Sequence, residues 1–289
     1  MRKKVFILTN NSKFFFKLNK ELKRLRIPFT VLNIGQRIPN INSVVLTTLK
    51  EVFNINNYNE KKVNFVPYKE GENFEKYLFD FLKIYQCGFK EYSKLLFSID
   101  PGETIGMIVF LDGMYFYSKT FFTKQDMLID IRKCITNIEE ESMNEIKLIF
   151  KIGRGVSYPF ILEFITNIYQ IFHKKENIRI YLINEIKSSK FKLHKNFKSL
   201  SKHEASALIL ALRKGVKVDK DTYQKFFELK KSDKTLKKQL VQELNEISFL
   251  NRNIDLLKKL IIDLLDCKIT IDKAFDIINQ EIVLKQYPE

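Results

Sequence analysis

The order of segments between Lys94 and Gly215 constrains the fold of this chain more than any other feature. Three β-strand patterns come first, and Asp112-Gly113 between the second and third is typical of a hairpin turn. Helical and strand patterns then alternate. The predicted strands are Leu95–Asp100, Met107–Leu111, Met114–Phe122, Ile146–Ile152 and Ile178–Ile183, and the predicted helices are Lys124–Glu139, Pro159–Phe172 and His203–Lys214.

Three antiparallel strands followed by alternating helix and strand predict an α/β domain over residues 94–216. Its mixed five-stranded sheet, with helices on both faces, is the ribonuclease-H-like arrangement. Residues 1–72 show a β-α-β-β pattern and predict a small α/β domain, and residues 73–93 predict a linking helix. The fingerprint GxGxxG is absent from the first domain, so no cofactor is predicted there. Its strongly basic helix, Lys13–Arg26, either contacts phosphates or is a solvated face.

Residues 217–289 are nearly neutral and helical in pattern. Their leucines and isoleucines recur at spacings of three and four, which resembles a coiled-coil seam. Three interpretations are open: a homodimer through these helices, a hairpin with the final segment Ile271–Leu284, or packing against the chain's own domain.

Charge indicates the class of partner. The 289 residues contain 50 Lys and Arg against 34 Asp and Glu, a formal charge of +16. This excess favours nucleic acid, although a general lysine bias gives the same total. Three separated cysteines without a CxxC pair argue against a zinc ribbon or a disulfide framework. The apolar run Val5–Leu8 is too short for a signal peptide or membrane span, so we expect a cytoplasmic protein without a membrane partner.

Three positions in the predicted domain carry acids or histidine where the topology brings strand ends together. Asp100 ends the first strand, Glu185 follows the fifth, and His203-Glu204 begins the last helix. A carboxylate at the end of a buried strand is costly unless it is paired. Oxygen ligands of this kind suit Mg²⁺ or Mn²⁺, and two such ions about 4 Å apart catalyse phosphodiester hydrolysis.

Four sequence motifs resemble the RuvC and YqgF group of ribonuclease-H-like nucleases. They are IDPGETIG at Ile99–Gly106, KIGRG at Lys151–Gly155, NEIKSS at Asn184–Ser189 and KHEASALILAL at Lys202–Leu212. The resemblance covers about residues 94–215. It implies metal-dependent cleavage of branched DNA or RNA precursors, with Asp100 and Glu185 as catalytic metal ligands. It also implies His203 or Glu204 as the third ligand.

Departures from the family motifs leave an alternative open. Asn184 stands where the family has an acid, Ile186 where it has arginine, and Ser206 where a further acid would fall. A catalytically inactive nucleic-acid-binding or assembly module on the same fold is therefore the second hypothesis. In that module, Lys151 would pair with Asp100 in place of a metal ion.

The segment 187–202 is basic and contains no acid. Lysines give salt-sensitive phosphate contacts and aromatic rings stack on unpaired bases, so the sequence predicts a nucleic-acid-binding segment. A solvated loop whose two phenylalanines pack on the core is the other interpretation. The predicted binding residues are Lys187, Lys190, Phe191, Lys192, Lys195, Phe197, Lys198 and Lys202.

Overall fold

A computed structural model describes residues 3–25, 27–56, 58–88, 92–140, 145–173, 175–186, 200–219 and 234–286. The chain forms two compact units, Met1–Lys90 and Glu91–Glu289. The sequence predicts a finer division of the chain, into four segments, and that division stays a prediction. No helix among the described residues is long and apolar enough to span a membrane.

The first unit contains a four-stranded parallel sheet in the order β2-β1-β3-β4. The fourth strand was not predicted. It contains Pro67, which disfavours a strand in general but is tolerated at the edge position that β4 takes. A π-helical turn, Lys83–Cys87, follows the last helix of this unit, Phe74–Leu82. The elements are β1 (Lys4–Ile7), α1 (Ser12–Arg24), β2 (Phe29–Val31), β3 (Ser43–Thr48), α2 (Leu49–Val52), β4 (Val63–Tyr68) and α3 (Phe74–Leu82).

The second unit is built on a six-stranded mixed sheet. Its sheet-forming part comprises β5 (Lys94–Asp100), β6 (Ile105–Leu111), β7 (Met114–Phe121), α4 (Lys124–Glu139), β8 (Lys147–Gly153), α5 (Tyr158–Ile171), β9 (Ile178–Ile183), α6 (Lys202–Ala211) and β10 (Val216–Val218). Helices α7 (Lys234–Arg252), α8 (Ile254–Leu265) and α9 (Ile271–Gln286) follow.

The strand order β10-β9-β8-β5-β6-β7 confirms the predicted ribonuclease-H-like arrangement. Strands β5, β6 and β7 are antiparallel neighbours, and β8 and β9 run parallel to β5. Asp112 and Gly113 both have positive φ, 46° and 81°, as expected of the predicted hairpin turn. All five predicted strands are present. The added strand, β10, pairs antiparallel with β9 and is only three residues long, too short to give a sequence pattern.

The C-terminal helices pack against their own unit. One apolar core joins Phe110 of β6 and Leu208 of α6 to Leu250, Ile261 and Ile278 of the last three helices. The C-terminal helices therefore pack against the chain's own domain, as one of the interpretations of the sequence predicts. The homodimer stays a prediction, and the seam is only partly buried: Leu244 is 49% exposed while Leu257 is fully buried.

Candidate active site

Asp100 lies where the end of β5 meets the start of α6. Two residues earlier, the Ser98 hydroxyl donates to the carbonyl of Ala207 at 2.7 Å, which fixes that face of the strand against the helix. Because side chains alternate along a strand, Asp100 lies on the same face. Its Oδ2 is 3.6 Å from Nδ1 of His203, and Ser206, one turn further along α6, is near enough to lower its pKa.

Glu185 reaches the same site from the end of β9. Its Oε1 accepts a hydrogen bond of 2.7 Å from the backbone N–H of Gly155, in the loop after β8. Its charge acts directly on Asp100 and raises the pKa of that carboxyl group. Asp100, Glu185 and His203, three residues predicted from the motifs, thus lie near the C-terminal ends of strands β5 and β9.

The electrostatics of the site favour a cation. Burial first, and then the charge of Glu185, raise the pKa of Asp100 to about 7, against opposing effects of Lys202 and Ser206. Burial also raises the pKa of Glu185, against the Gly155 hydrogen bond and the charge of Arg213. Burial and Lys202 lower the pKa of His203, against the charge of Glu204, and so favour the neutral imidazole, which is the form that binds a metal ion.

Three glycines make room for these groups. A Cβ on Gly155 would lie 2.3 and 3.0 Å from the two carboxylate oxygens of Glu185, and one on Gly153 would meet the same carboxylate and the ring of Pro101. A Cβ on Gly106 would collide with backbone atoms of His203. These three of the four glycines in the motifs IDPGETIG and KIGRG therefore serve close packing around the site.

Glu204 faces away from Asp100. Its carboxylate accepts hydrogen bonds from Ser118 at 3.1 Å and Thr120 at 2.8 Å, both on β7. It also accepts from the backbone N–H of Ser201 and so forms a capping box at the start of α6. Of the two alternatives for the third ligand, His203 is the one that lies beside Asp100.

The predicted pairing of Lys151 with Asp100 is wrong. Lys151 is buried and its Nζ donates to the carbonyls of Ala211 and Arg213, at 2.7 and 2.6 Å. Strand register is the reason: Lys151 pairs with Ser98, two residues before Asp100, so it reaches the end of α6 and not its beginning. A cation at a helix C-terminus is favourable, although burial lowers the pKa of this lysine to about 7.

A buried ion-pair network that the sequence did not predict holds the Glu185 loop. Arg213 donates to the carbonyls of Asn184 and Ile186, one on each side of Glu185. Glu243 of α7 is 1% exposed and accepts from the N–H of Asn184 at 2.7 Å and from Arg154 at 2.6 Å. These interactions fix the backbone around Glu185. Arg154 and Glu243 are 89 residues apart, so their ion pair leaves no local pattern in the sequence.

Most of the predicted basic segment lies outside the described residues. This applies to Lys187, Lys190, Phe191, Lys192, Lys195, Phe197 and Lys198. Lys202 is described and exposed at the first residue of α6, close enough to Asp100 to lower its pKa.

The donor set suits a hard divalent ion in type: two carboxylates and one neutral imidazole. Asp100 in particular is buried beside a second acid, and burial and that acid raise its pKa more than Lys202 and Ser206 lower it. The described residues contain no group of three or more His, Cys, Asp or Glu side chains close enough together to hold a metal ion as they stand.

Comparisons with known proteins return only distant similarity. No protein-family model matches the chain, and no curated protein matches it. Among solved structures, the Argonaute of Marinitoga piezophila, in complex with 5′-OH guide RNA and target DNA, is 10% identical with a TM-score of 0.24. The alignment covers 64% of this chain and 39% of that one.

A second solved structure, Aa-Ago with externally bound siRNA, is 12% identical with a TM-score of 0.22. It is matched over 63% of this chain and 35% of its own. The chain thus spans less than two fifths of the length of either protein. Similarity at these TM-scores carries no argument about function, and the assignment of the fold rests on strand order.

Proposed function

We propose that this chain is a divalent-metal-dependent nuclease that hydrolyses phosphodiester bonds in structured or single-stranded nucleic acid, as the RuvC and YqgF group does. The observation that carries the proposal is that Asp100, at the end of β5, lies 3.6 Å from His203 and near enough to Glu185 for that acid to raise its pKa. Branched DNA and RNA precursors both remain candidate substrates.

Asp100, Glu185 and His203 would hold Mg²⁺ or Mn²⁺. The ion, when bound, activates water and stabilises the charge that develops on the phosphate. The chain's own groups prepare the site: the N–H of Gly155 orients Glu185, and Ser206 favours the charged form of Asp100. The exposed Lys202 adds positive charge beside the site, where a phosphate of the substrate would lie.

The test is Mn²⁺-dependent cleavage of branched DNA, single-stranded DNA and RNA by the wild type and by Asp100→Asn. We expect the substitution to reduce cleavage about 100-fold or more, as when a group that stabilises transition-state charge is removed. The matched control is Glu204→Gln, because Glu204 is the acid beside His203 that faces β7. It should retain cleavage to within a few-fold.

Cleavage that survives Asp100→Asn would place the activity elsewhere and overturn the proposal. A second candidate function is a nucleic-acid-binding module without catalysis. The absence of a closed three-ligand group among the described residues favours it. Salt-sensitive binding without cleavage by the wild type on all three substrates would establish this second function instead.

A further inference from the structure

The positive charge of the chain is concentrated in the first unit. Residues 1–90 contain 17 Lys and Arg against 7 Asp and Glu, a formal charge of +10. The other 199 residues contain 33 against 27, a formal charge of +6. The candidate active site belongs to the second unit, so most of the excess charge lies in the unit that does not contain it.

Helix α1 has the densest basic surface of the first unit. Its apolar side packs into the core through Phe14, Leu18 and Leu22, which are all buried. Its exposed basic residues, here called the α1 stripe, are Lys13, Lys17, Lys20 and Arg24.

The α1 stripe is straight. Its residues are spaced by four, three and four positions, so at 100° per residue they fall within about 60° around the helix. The centre of the stripe lies about 130° from the buried side, and the stripe is about 16 Å long. Phe16, 69% exposed, and the exposed Lys23 lie beside it. The stripe therefore combines a row of cations with an exposed aromatic ring.

Local pairing neutralises only part of this surface. Arg24 donates to Glu21 at 2.7 Å, and Nζ of Lys17 lies 5.4 Å from the ring centroid of Phe74. Among the residues that the structure describes, Lys13, Lys20 and Lys23 have no carboxylate within ion-pair distance. Their positive charge is thus available to an external polyanion.

We infer that the α1 stripe binds the phosphate backbone of a single-stranded nucleic acid, with Phe16 stacking on an unpaired base. Charge complementarity selects a polyanion, and an exposed aromatic ring beside the cations fits bases that are free to stack. A lipid surface is the less suitable partner. A membrane-bound amphipathic helix buries its apolar side in the lipid, and α1 has already buried that side in its own core.

This binding surface goes beyond the proposed nuclease function, because it needs neither a metal ion nor the acids of the second unit. The experiment therefore measures binding of the full chain to a labelled 20-nucleotide oligothymidylate in EDTA, over a series of salt concentrations. Under these conditions an inactive nuclease site leaves the result unchanged, so the two proposals fail independently.

The stripe variant is Lys13→Gln/Lys17→Gln/Lys20→Gln. Its control, Lys238→Gln/Lys259→Gln/Lys273→Gln, removes the same charge from exposed positions on the C-terminal helices. Each phosphate that is no longer neutralised should reduce the slope of log affinity against log salt by about 0.7, so the slope of the stripe variant should fall by up to about 2. The control should keep the wild-type slope. Equal slopes for both variants, changed or unchanged, would overturn the inference.

Stacking is tested separately with Phe16→Ala. Its control is Phe53→Ala, at a phenylalanine of the same unit that is 78% exposed and follows α2. Loss of one stacked base should weaken binding about tenfold in Phe16→Ala and leave Phe53→Ala near the wild type. Equal affinities for the two variants would overturn the stacking interaction. Vesicles with 30% phosphatidylserine test the lipid alternative: binding to them that needs the stripe, without stripe-dependent oligonucleotide binding, would overturn the choice of partner.

Discussion

Glu51 and Asp100 are acids near the ends of strands β3 and β5, yet their surroundings are opposite. Glu51 lies in α2, three residues after the end of β3, and its carboxylate accepts hydrogen bonds from Thr9, from the N–H of Asn10, and from both the N–H and hydroxyl of Thr48. These bonds together outweigh burial, the largest single effect, and lower its pKa. Asp100 faces a second carboxylate instead, and its pKa is raised to about 7. An acid at a strand end is thus a candidate cation ligand only where the protein leaves its charge unbalanced.

The two acids should differ most in how they make the folding stability of the metal-free protein depend on pH. The pKa of Asp100 rises on folding from 3.8 to about 7, so between these values the folded state holds a proton that the unfolded state has lost. Stability should therefore fall as pH rises from about 4 through 7, by at most about 4 kcal/mol.

Urea unfolding in EDTA between pH 4.5 and 8 measures this fall, and Asp100→Asn should remove most of it. Asparagine keeps the shape of the side chain without its charge, so the variant should be more stable than the wild type at pH 8. Adding Mn²⁺ should stabilise the wild type more than the variant, because binding to the folded state adds to its stability. Equal pH profiles for the two proteins would show that Asp100 is as well balanced as Glu51.

The next largest change in stability is expected of Gly106→Ala, which alters the packing beside Asp100. The added Cβ would meet the backbone of His203, which cannot rotate away, so α6 must shift. Overpacking of this kind costs about 3 kcal/mol. Thermal or urea unfolding measures the loss. A variant as stable as the wild type would mean that the start of α6 is not held against β6.

The sequence predicts the site better than it predicts what holds the site in place. Strands β5 to β9 and helices α4 to α6 follow from local periodicity, and the motif order indicates Asp100 and Glu185 but leaves His203 and Glu204 as alternatives. The predicted pairing of Lys151 with Asp100 is wrong because it depends on strand register. Periodicity does not determine register, and the register places Lys151 opposite Ser98. Arg213 and Glu243 were missed because a buried charge is recognisable only once its distant partner is known.

Glu51→Gln should have an effect of opposite sign to Asp100→Asn. It weakens hydrogen bonds to a charged group, each of which contributes more than a neutral one, but Glu51 is partly exposed and solvent screens its charge. We expect a loss of about 1–2 kcal/mol at pH 7. Because the pKa of Glu51 is lowered on folding, its contribution is present above pH 4.5 and disappears as pH falls through its folded pKa. A loss that stays the same at every pH from 7 down to acid unfolding would contradict this account.

The smallest expected change in stability is that of Gly155→Ala, which separates the position of Glu185 from the integrity of the fold. The new Cβ would meet only the carboxylate end of Glu185, which can rotate away, and the φ of Gly155 is not in the left-handed region. Stability at pH 4.5 should therefore change by less than about 1 kcal/mol. The displaced carboxylate should act less on Asp100, so the loss of stability between pH 4.5 and 8 should be smaller than in the wild type. A full wild-type loss in this variant would mean that burial alone, without Glu185, raises the pKa of Asp100, and that the two acids are not close enough to share a cation.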